Sequence, residues 1–484
     1  MALGCDISGA RSHATQRRSL ALGGDAINIV GFLLCATLLL ARIAHHAVWR
    51  DEAQAWLIVQ AADSLIDLLI LEGEGHPPLY YWILYLTSTL GNDLWLAKIP
   101  TVIFSVATLV VVWFFTPFTF VEKLMISLGF FLSWQYGVFS RSYIVGAFFL
   151  LLYAVFHDRW REYPVPGGLV LGAASLTHVY FAMAASCLAA LSVLLWLREG
   201  RALKRIALLT IPFGVCLALS AASVILSIPA TETVERITQP AGPQATALLQ
   251  QMAQAFLEGL PMLGLKPLLV TLVFVLLIAC FWRNRLGGLV FLAGAGCIAA
   301  VQTMIYGTGR HSGVIYFLFV AVYAIAYSAC NKTPARALLA LSMLAGLFIL
   351  PRTLTTPYSA ALEAADIITA RGLERANWVA YPDAPATATF AALKRSVYGL
   401  QCGCEYTYVD WRRRHKAASD AKLGERLQVL LSVESPVYVL VSKPHLDKFL
   451  RLARDRAVEQ LAETKSAILP SETFVIFKGR GSSR

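Results

Sequence analysis

Trp49-Arg50-Asp51-Glu52 and, a little further on, Gly75-His76-Pro77-Pro78-Leu79-Tyr80-Tyr81-Trp82 are the two halves of one stretch on which the reading of this chain turns. They follow directly on the first long apolar run, residues 26–44. Roughly 20 apolar residues cross the hydrocarbon core of a bilayer. With many more such runs behind it, this one reads as a retained first helix and not a cleaved leader. Two adjacent acids at the exit of a membrane helix are costly to place, which marks Asp51 and Glu52 as functional candidates. The second half sets an imidazole, His76, before two prolines and an aromatic-rich apolar helix.

Composition supports the membrane reading. The chain of 484 residues is 57% hydrophobic and 15% charged, with a mean hydropathy of +0.61, so too little polar surface is available for a soluble protein of this size. The net charge of +11 is no sign of nucleic acid, because the basic residues sit in short clusters between apolar runs, where membrane topology accounts for them. Ten further spans are expected at 96–115, 124–140, 143–156, 166–177, 179–197, 206–228, 263–282, 286–305, 312–329 and 337–351. On this count the inner segments carry Arg11, Arg17, Arg18, Lys123, Arg159, Arg161, Arg198, Arg201, Lys204, Arg205, Arg283, Arg285, Lys332 and Arg336. The outer ones carry Arg42, Arg50, Arg141, Arg236 and Arg310. That bias puts the N-terminus inside, and an odd number of spans then puts the C-terminus outside.

The outer hairpin tips fall at Ser140-Arg141-Ser142-Tyr143, Thr177-His178-Val179-Tyr180 and Tyr306-Gly307-Thr308-Gly309-Arg310-His311. Each holds an Arg or a His. Leu79 to Leu90 is too short to span and reads as a juxtamembrane helix rich in Tyr and Trp, with one or two more over Ala53 to Leu71. A further interfacial helix is expected in the second half of the loop from Pro229 to Pro261. The organisation is therefore a cytoplasmic tail (1–24), an all-α polytopic domain (25–353, its first outer loop at 44–95) and a small α/β domain outside (354–484). In that last domain β-type runs at Trp378 to Tyr381, Val437 to Val441 and Thr473 to Phe477 alternate with helical stretches such as His445 to Thr464. Cys402 and Cys404 alone lie in a polar region; a C-x-C ring is too tight for an easy disulfide, and their redox state is open.

The paired motifs W-R-D-E and G-H-P-P-L-Y-Y-W resemble those of the lipid-dependent membrane glycosyltransferases of the GT-C class, close in kind to the bacterial lipid A aminoarabinose transferases and the protein O-mannosyltransferases (glycosyltransferase family 39). In those families an Asp, often in an Asp-Glu pair, follows the first helix, and a K/H-P-P-L segment follows in the same outer loop. The resemblance covers the first 160 residues by motif and the rest of the membrane part by architecture. It implies an inverting glycosyltransferase of the inner or plasma membrane. Such an enzyme moves a sugar from a polyprenyl-phosphate donor to a hydroxyl of a glycan, lipid or protein acceptor outside the cytoplasm.

That chemistry needs a base for the acceptor hydroxyl and cations for the departing phosphate. Asp51 is the candidate base; the plain alternative is that Asp51 and Glu52 only favour the start of a helix, and the resemblance tips the reading to catalysis. Glu52, about 100° round a helix from its neighbour, is expected to orient a cation or the acceptor. Arg141 and Arg310 suit a phosphate through paired charge-assisted hydrogen bonds, with His76, His311 and then His178 behind them; headgroup snorkelling is the alternative for the arginines. Aminoarabinose transferases commonly have Lys where this chain has His76, which leaves open whether the imidazole is charged. Trp49, Tyr80 and Tyr81 line a prenyl or sugar subsite or else anchor the interface. The run Arg412-Arg413-Arg414-His415-Lys416 reads as a solvated face. No cofactor is required on this reading; some GT-C members bind a divalent ion, but here only Asp51 and Glu52 offer clustered carboxylates. A transporter or flippase would place ionisable residues near span centres in repeated halves, and a non-catalytic subunit is the third possibility.

Overall fold

The computed structural model of the chain describes residues 26–227, 245–261, 264–304, 308–411, 418–433, 435–453 and 458–479. The expected tail, Arg236, Tyr306, Gly307 and the basic run 412–416 lie outside them. Helices run α1 (Ala26–His45), α2 (Arg50–Ala61), α3 (Leu79–Ser88), α4 (Ile99–Val110), α5 (Phe120–Ser127), α6 (Ser142–Val155), α7 (Pro164–Ser175), α8 (Val179–Arg198), α9 (Leu203–Ser227), α10 (Ala245–Leu257), α11 (Lys266–Phe281), α12 (Arg285–Met304), α13 (Ser312–Ile325) and α14 (Lys332–Thr355). Among the described residues six helical segments are long and apolar enough to cross a membrane: Ala26–His45, Leu94–Phe115, Val179–Arg198, Leu203–Ser227, Arg285–Met304 and Lys332–Thr355. Four shorter apolar helices, Ser142–Val155, Pro164–Ser175, Lys266–Phe281 and Gly309–Ile325, accompany them.

The span expected at 124–140 is not a continuous helix. α5 stops at Ser127, a π-type turn occupies Phe131–Gln135, and the chain then unwinds. The close return explains the break: a Cβ on Gly137 would stand 2.0 Å from the Leu132 carbonyl oxygen, so only glycine fits. Unwinding also turns the Ser140 amide toward α2, where it donates to Glu52 at 2.5 Å. The juxtamembrane helices α2 and α3 form, but the first ends at Ala61 and the chain continues to Leu71 in turns. There the Asp67 carboxylate accepts from the Asp63 and Ser64 amides, a local alternative to helix.

α13 is the axis of the bundle. Every residue from Ser312 to Ala324 is buried, as a helix apolar all round must be. Its far end is pinned by Glu122 on α5, which accepts from the hydroxyls of Tyr323 and Tyr327, both at 2.9 Å, and from Arg336 at 3.1 Å. Its near end carries Arg310.

Beyond α14 come α15 (Ala361–Ala370), β1 (Asn377–Tyr381), α16 (Thr387–Ala392), β2 (Val397–Gly399), β3 (Cys404–Tyr406), α17 (Asp420–Leu431), β4 (Val437–Ser442), α18 (Leu446–Ala453), β5 (Val458–Glu463) and β6 (Phe474–Gly479). They make one six-stranded sheet in the order β3-β2-β1-β4-β6-β5. β1 runs parallel to β2 and β4; the other pairs are antiparallel. The three expected strands are present. The helix expected over His445 to Thr464 ends at Ala453, and its second half is the edge strand β5, where Glu459 and Glu463 stay exposed while the backbone pairs with β6. A disulfide joins Cys402 and Cys404.

Glu122→Ala leaves the buried Tyr323 hydroxyl without its acceptor. It is expected to lower unfolding stability by about 1–3 kcal/mol, read as a lower melting temperature in detergent.

Candidate active site

The site begins with the cap of α2. Trp49 occupies the position before the helix, and Glu52 reaches back to accept its amide at 3.1 Å. Glu52 also accepts from His46 Nε2 at 3.0 Å and from the Ser140 amide. It is therefore a buried joint between the end of α1, the start of α2 and the unwound segment, and it turns away from the arginines. Glu52, expected to orient a cation or the acceptor, has its carboxylate engaged by His46, the Trp49 amide and the Ser140 amide; consecutive helical positions point about 100° apart, so α2 turns Glu52 and Asp51 to different partners.

Asp51 is that other. Arg310 Nη1 lies 2.8 Å from Asp51 Oδ2, across 259 positions of sequence. Arg141 Nη1 donates to the Asp51 carbonyl oxygen at 2.7 Å, and Arg50 Nε stands 3.4 Å from Oδ1. Arg310 is held by its own surroundings: Tyr136 donates to its carbonyl at 2.7 Å, and its guanidinium lies 5.5 Å from the Trp49 ring centre. Gly309, next to it, packs against the Glu258 carboxylate, which a Cβ at that position would meet at 2.2 Å. The Asp51 and Arg310 side chains are 17% and 18% exposed, enough to be reached from outside. Burial pushes the Asp51 carboxyl up, but Arg310, then Arg141 and Arg50, outweigh it and hold it below its ordinary value, so it is ionised at neutral pH.

Arg141 passes the cluster on to His76, with Nη2 3.3 Å from Nε2. Burial, then His178 and the neighbouring arginines, push the His76 imidazole well below its ordinary value, so it is neutral. An arginine can only donate; Nε2 must therefore accept, and the proton sits on Nδ1, which is buried without a protein partner. His178 lies 5.2 Å from His76 and 5.6 Å from His311, ring centre to ring centre. Tyr143 and Tyr180 interleave with them at 5.1 and 4.8 Å. Tyr80 donates to the Ser140 carbonyl and so braces the loop that carries Arg141. The Tyr81 hydroxyl is buried with no partner among the described residues, as is Arg141 Nε. Buried donors without partners among the described residues leave room at this spot for a polar partner, water or ligand.

Asp51, Arg141, Arg310, His76, His178, His311, Trp49 and Tyr81 thus form one connected cluster, while Tyr80 and Glu52 brace the segments that carry it. Four further side chains were not singled out by motif. Glu74, two residues before His76, accepts from Gln54 at 2.8 Å and from Trp411 at 3.1 Å; burial, against those two hydrogen bonds, raises its carboxyl above the ordinary value. Gln54 clasps the Val409 backbone on both sides, donating to the carbonyl at 2.7 Å and accepting the amide at 2.8 Å. Glu472, from the C-terminal sheet, accepts the Arg50 amide at 3.2 Å and the Ser359 hydroxyl at 2.6 Å; burial pushes it up to about 8. Tyr358 packs its ring 4.6 Å from Phe139 and 5.5 Å from Trp49. A Glu so close to the His-Pro-Pro run was visible in sequence; the contacts of Gln54 with Val409, of Glu472 with Arg50 and of Tyr358 with Trp49 and Phe139 join distant parts of the chain and leave no local signal. Among the described residues no group of three or more His, Cys, Asp or Glu is arranged to hold a metal ion.

No protein-family model matches the sequence, and no curated protein matches it either. The fold, however, is similar to that of ArnT from Cupriavidus metallidurans, solved bound to undecaprenyl phosphate. The identity is 14%, the TM-score is 0.54, and the match covers 94% of this chain and 98% of that one. The chain has a GT-C-like fold, that of an integral membrane protein with a small mixed-sheet domain after its last membrane helix.

Proposed function

We propose that this protein is an inverting glycosyltransferase that moves a sugar from a polyprenyl phosphate to an acceptor hydroxyl of the cell envelope. The observation that carries the reading is the convergence of Arg141 and Arg310 on Asp51 from positions 90 and 259 residues away. Likeness of fold to a protein solved with undecaprenyl phosphate supports a donor of that class.

In this reading the acceptor hydroxyl attacks the anomeric carbon and gives its proton to Asp51. The bond from that carbon to the phosphate oxygen breaks on the opposite face, which inverts the centre. Polyprenyl phosphate leaves with its negative charge held by Arg141 and Arg310. The pairing of Asp51 with Arg310 makes the carboxylate a weak base; a lipid phosphate competing for the guanidinium raises its basicity where it is needed. Neutral His76 serves as a hydrogen-bond donor through Nδ1. In this reading the site, the loop at 44–95 and the domain at 354–484 lie on the extracytoplasmic side, with the N-terminus inside; the bias of Lys and Arg toward the segments between the opposite helix ends supports that topology.

Asp51→Asn keeps the shape and removes the base, so transfer should fall by about a hundredfold or more in a radiolabelled-donor assay while the protein stays folded in the membrane. Activity within tenfold of the parent excludes Asp51 as the base.

Arg310→Ala removes a charge-assisted contact worth about 1.5–3 kcal/mol and should weaken undecaprenyl-phosphate binding accordingly, with only part recovered by Arg310→Lys. It also removes the largest influence lowering the Asp51 pKa. The carboxylate then takes up a proton at higher pH, so the acid limb of kcat/KM should move upward in pH. An unmoved limb in an active variant would separate Arg310 from the titrating group.

A reporter enzyme fused after residue 484 should be exported, and one inserted between Arg198 and Arg205 should remain inside. A cytoplasmic C-terminus would overturn the topology.

A further inference from the structure

At the opposite end of the bundle from Asp51 the structure holds a second feature that the transfer reaction does not use. Where α11 ends and α14 begins lies a recess of about 890 Å³. Its apolar wall is made by Val275, Ile278 and Trp282, which are 56%, 52% and 68% exposed. Its rim carries Arg283 and Lys332 beside the polar groups of Ser328 and Asn331, and none of its described lining residues is acidic. The full length of α13, 14 residues or about 21 Å at 1.5 Å per residue, separates it from Arg310.

The recess is built and not a chance gap between helix ends. The Asn331 amide donates to the Cys280 carbonyl at 2.9 Å, which fixes the start of α14 against the end of α11. Lys332 stands 4.4 Å from the Tyr327 ring centre, and the Tyr327 hydroxyl is in turn held by Glu122 at 2.9 Å. The cation is thereby positioned on a braced aromatic platform at the mouth of an apolar channel.

We infer that this recess binds an anionic glycerophospholipid, its headgroup phosphate between Arg283 and Lys332 and an acyl chain along Val275, Ile278 and Trp282. A free phosphate would find the charges but no use for the exposed apolar wall. A zwitterionic lipid would find the wall but gain less from two cations with no acid beside them. Basic pockets between membrane helices at the cytoplasmic interface recognise lipid headgroups on these grounds, and each Lys or Arg near the surface favours an anionic lipid by about 1 kcal/mol. The positive bias of charge assigned to the inner segments puts the recess in the leaflet where such a lipid would meet it. The inference is independent of which sugar or acceptor the outer site takes.

The test is native mass spectrometry of the full-length protein in mild detergent, titrated with phosphatidylglycerol and, separately, phosphatidylcholine. The expected result is retention of phosphatidylglycerol at least about tenfold tighter than phosphatidylcholine, and a loss of about tenfold or more in the Arg283→Gln/Lys332→Gln double variant. The Arg283→Lys/Lys332→Arg exchange should keep most of the affinity, and Arg198→Gln/Arg201→Gln, which neutralises a distant loop, should keep all of it. Arg283 is exposed, so the single Arg283→Gln change carries the test should the double variant fold poorly. Equal retention of the two lipids, or an unaltered affinity when Arg283 is neutralised, overturns the inference. Displacement of the lipid by millimolar inorganic phosphate would also overturn it, in favour of a free-anion site.

Discussion

A carboxylate facing two guanidiniums at the margin of a bilayer is stable only if every element bringing a charge is held from outside the cluster. Each unpaired charge in so dry a setting would carry a desolvation penalty of several kcal/mol. The fold around Asp51 answers that constraint residue by residue. Glu52 fixes the start of α2 against α1 and the unwound segment. Tyr80 braces the Arg141 loop, and Tyr136 grips the Arg310 carbonyl from the same unwound segment. The buried axis of α13, pinned at its far end by Glu122, keeps Arg310 from retreating.

Much of this was legible from residue order, and what was not has identifiable reasons. The outer hairpin tips stood out because charge between apolar runs has few places to go, and the tips at Arg141, His178 and Arg310 do meet. The motif also marked α2 and α3 as helices too short to span. The break at Gly137 was hidden, because hydropathy over 124–140 is blind to a backbone that must fold back on Leu132. The π-type turn next to it is likewise set by tertiary contact. Glu52 shows the limit in another way: two adjacent acids look alike in sequence, and only the rotation of α2 decides which faces the cations. The strand β5 was masked by its own exposed polar residues, which read as a helix surface until an edge-strand pairing with β6 is known.

The titration states follow from the same geometry. Asp51 lies among cations and stays ionised despite burial, whereas Glu74 and Glu472 are satisfied mostly by neutral N–H and O–H donors and rise above their ordinary values. His76, wedged between Arg141 and His178, stays neutral because burial and the cations beside it act in the same direction. Three carboxylates within one neighbourhood are thereby given different proton affinities by their partners: Asp51 is held below its ordinary value, and Glu74 and Glu472 are pushed above theirs.

The seam between the membrane helices and the C-terminal sheet includes two grips on backbone. Gln54 takes both the amide and the carbonyl of Val409, and Glu472 takes the Arg50 amide. A grip on backbone does not read the side chain at the gripped position. The hold on Val409 asks for a donor and an acceptor at position 54, which the Gln54 amide supplies together, while the Val409 side chain is fixed by the core in which it is buried. The joint thus reads the course and direction of a main chain, and the core packed around it reads the side chains.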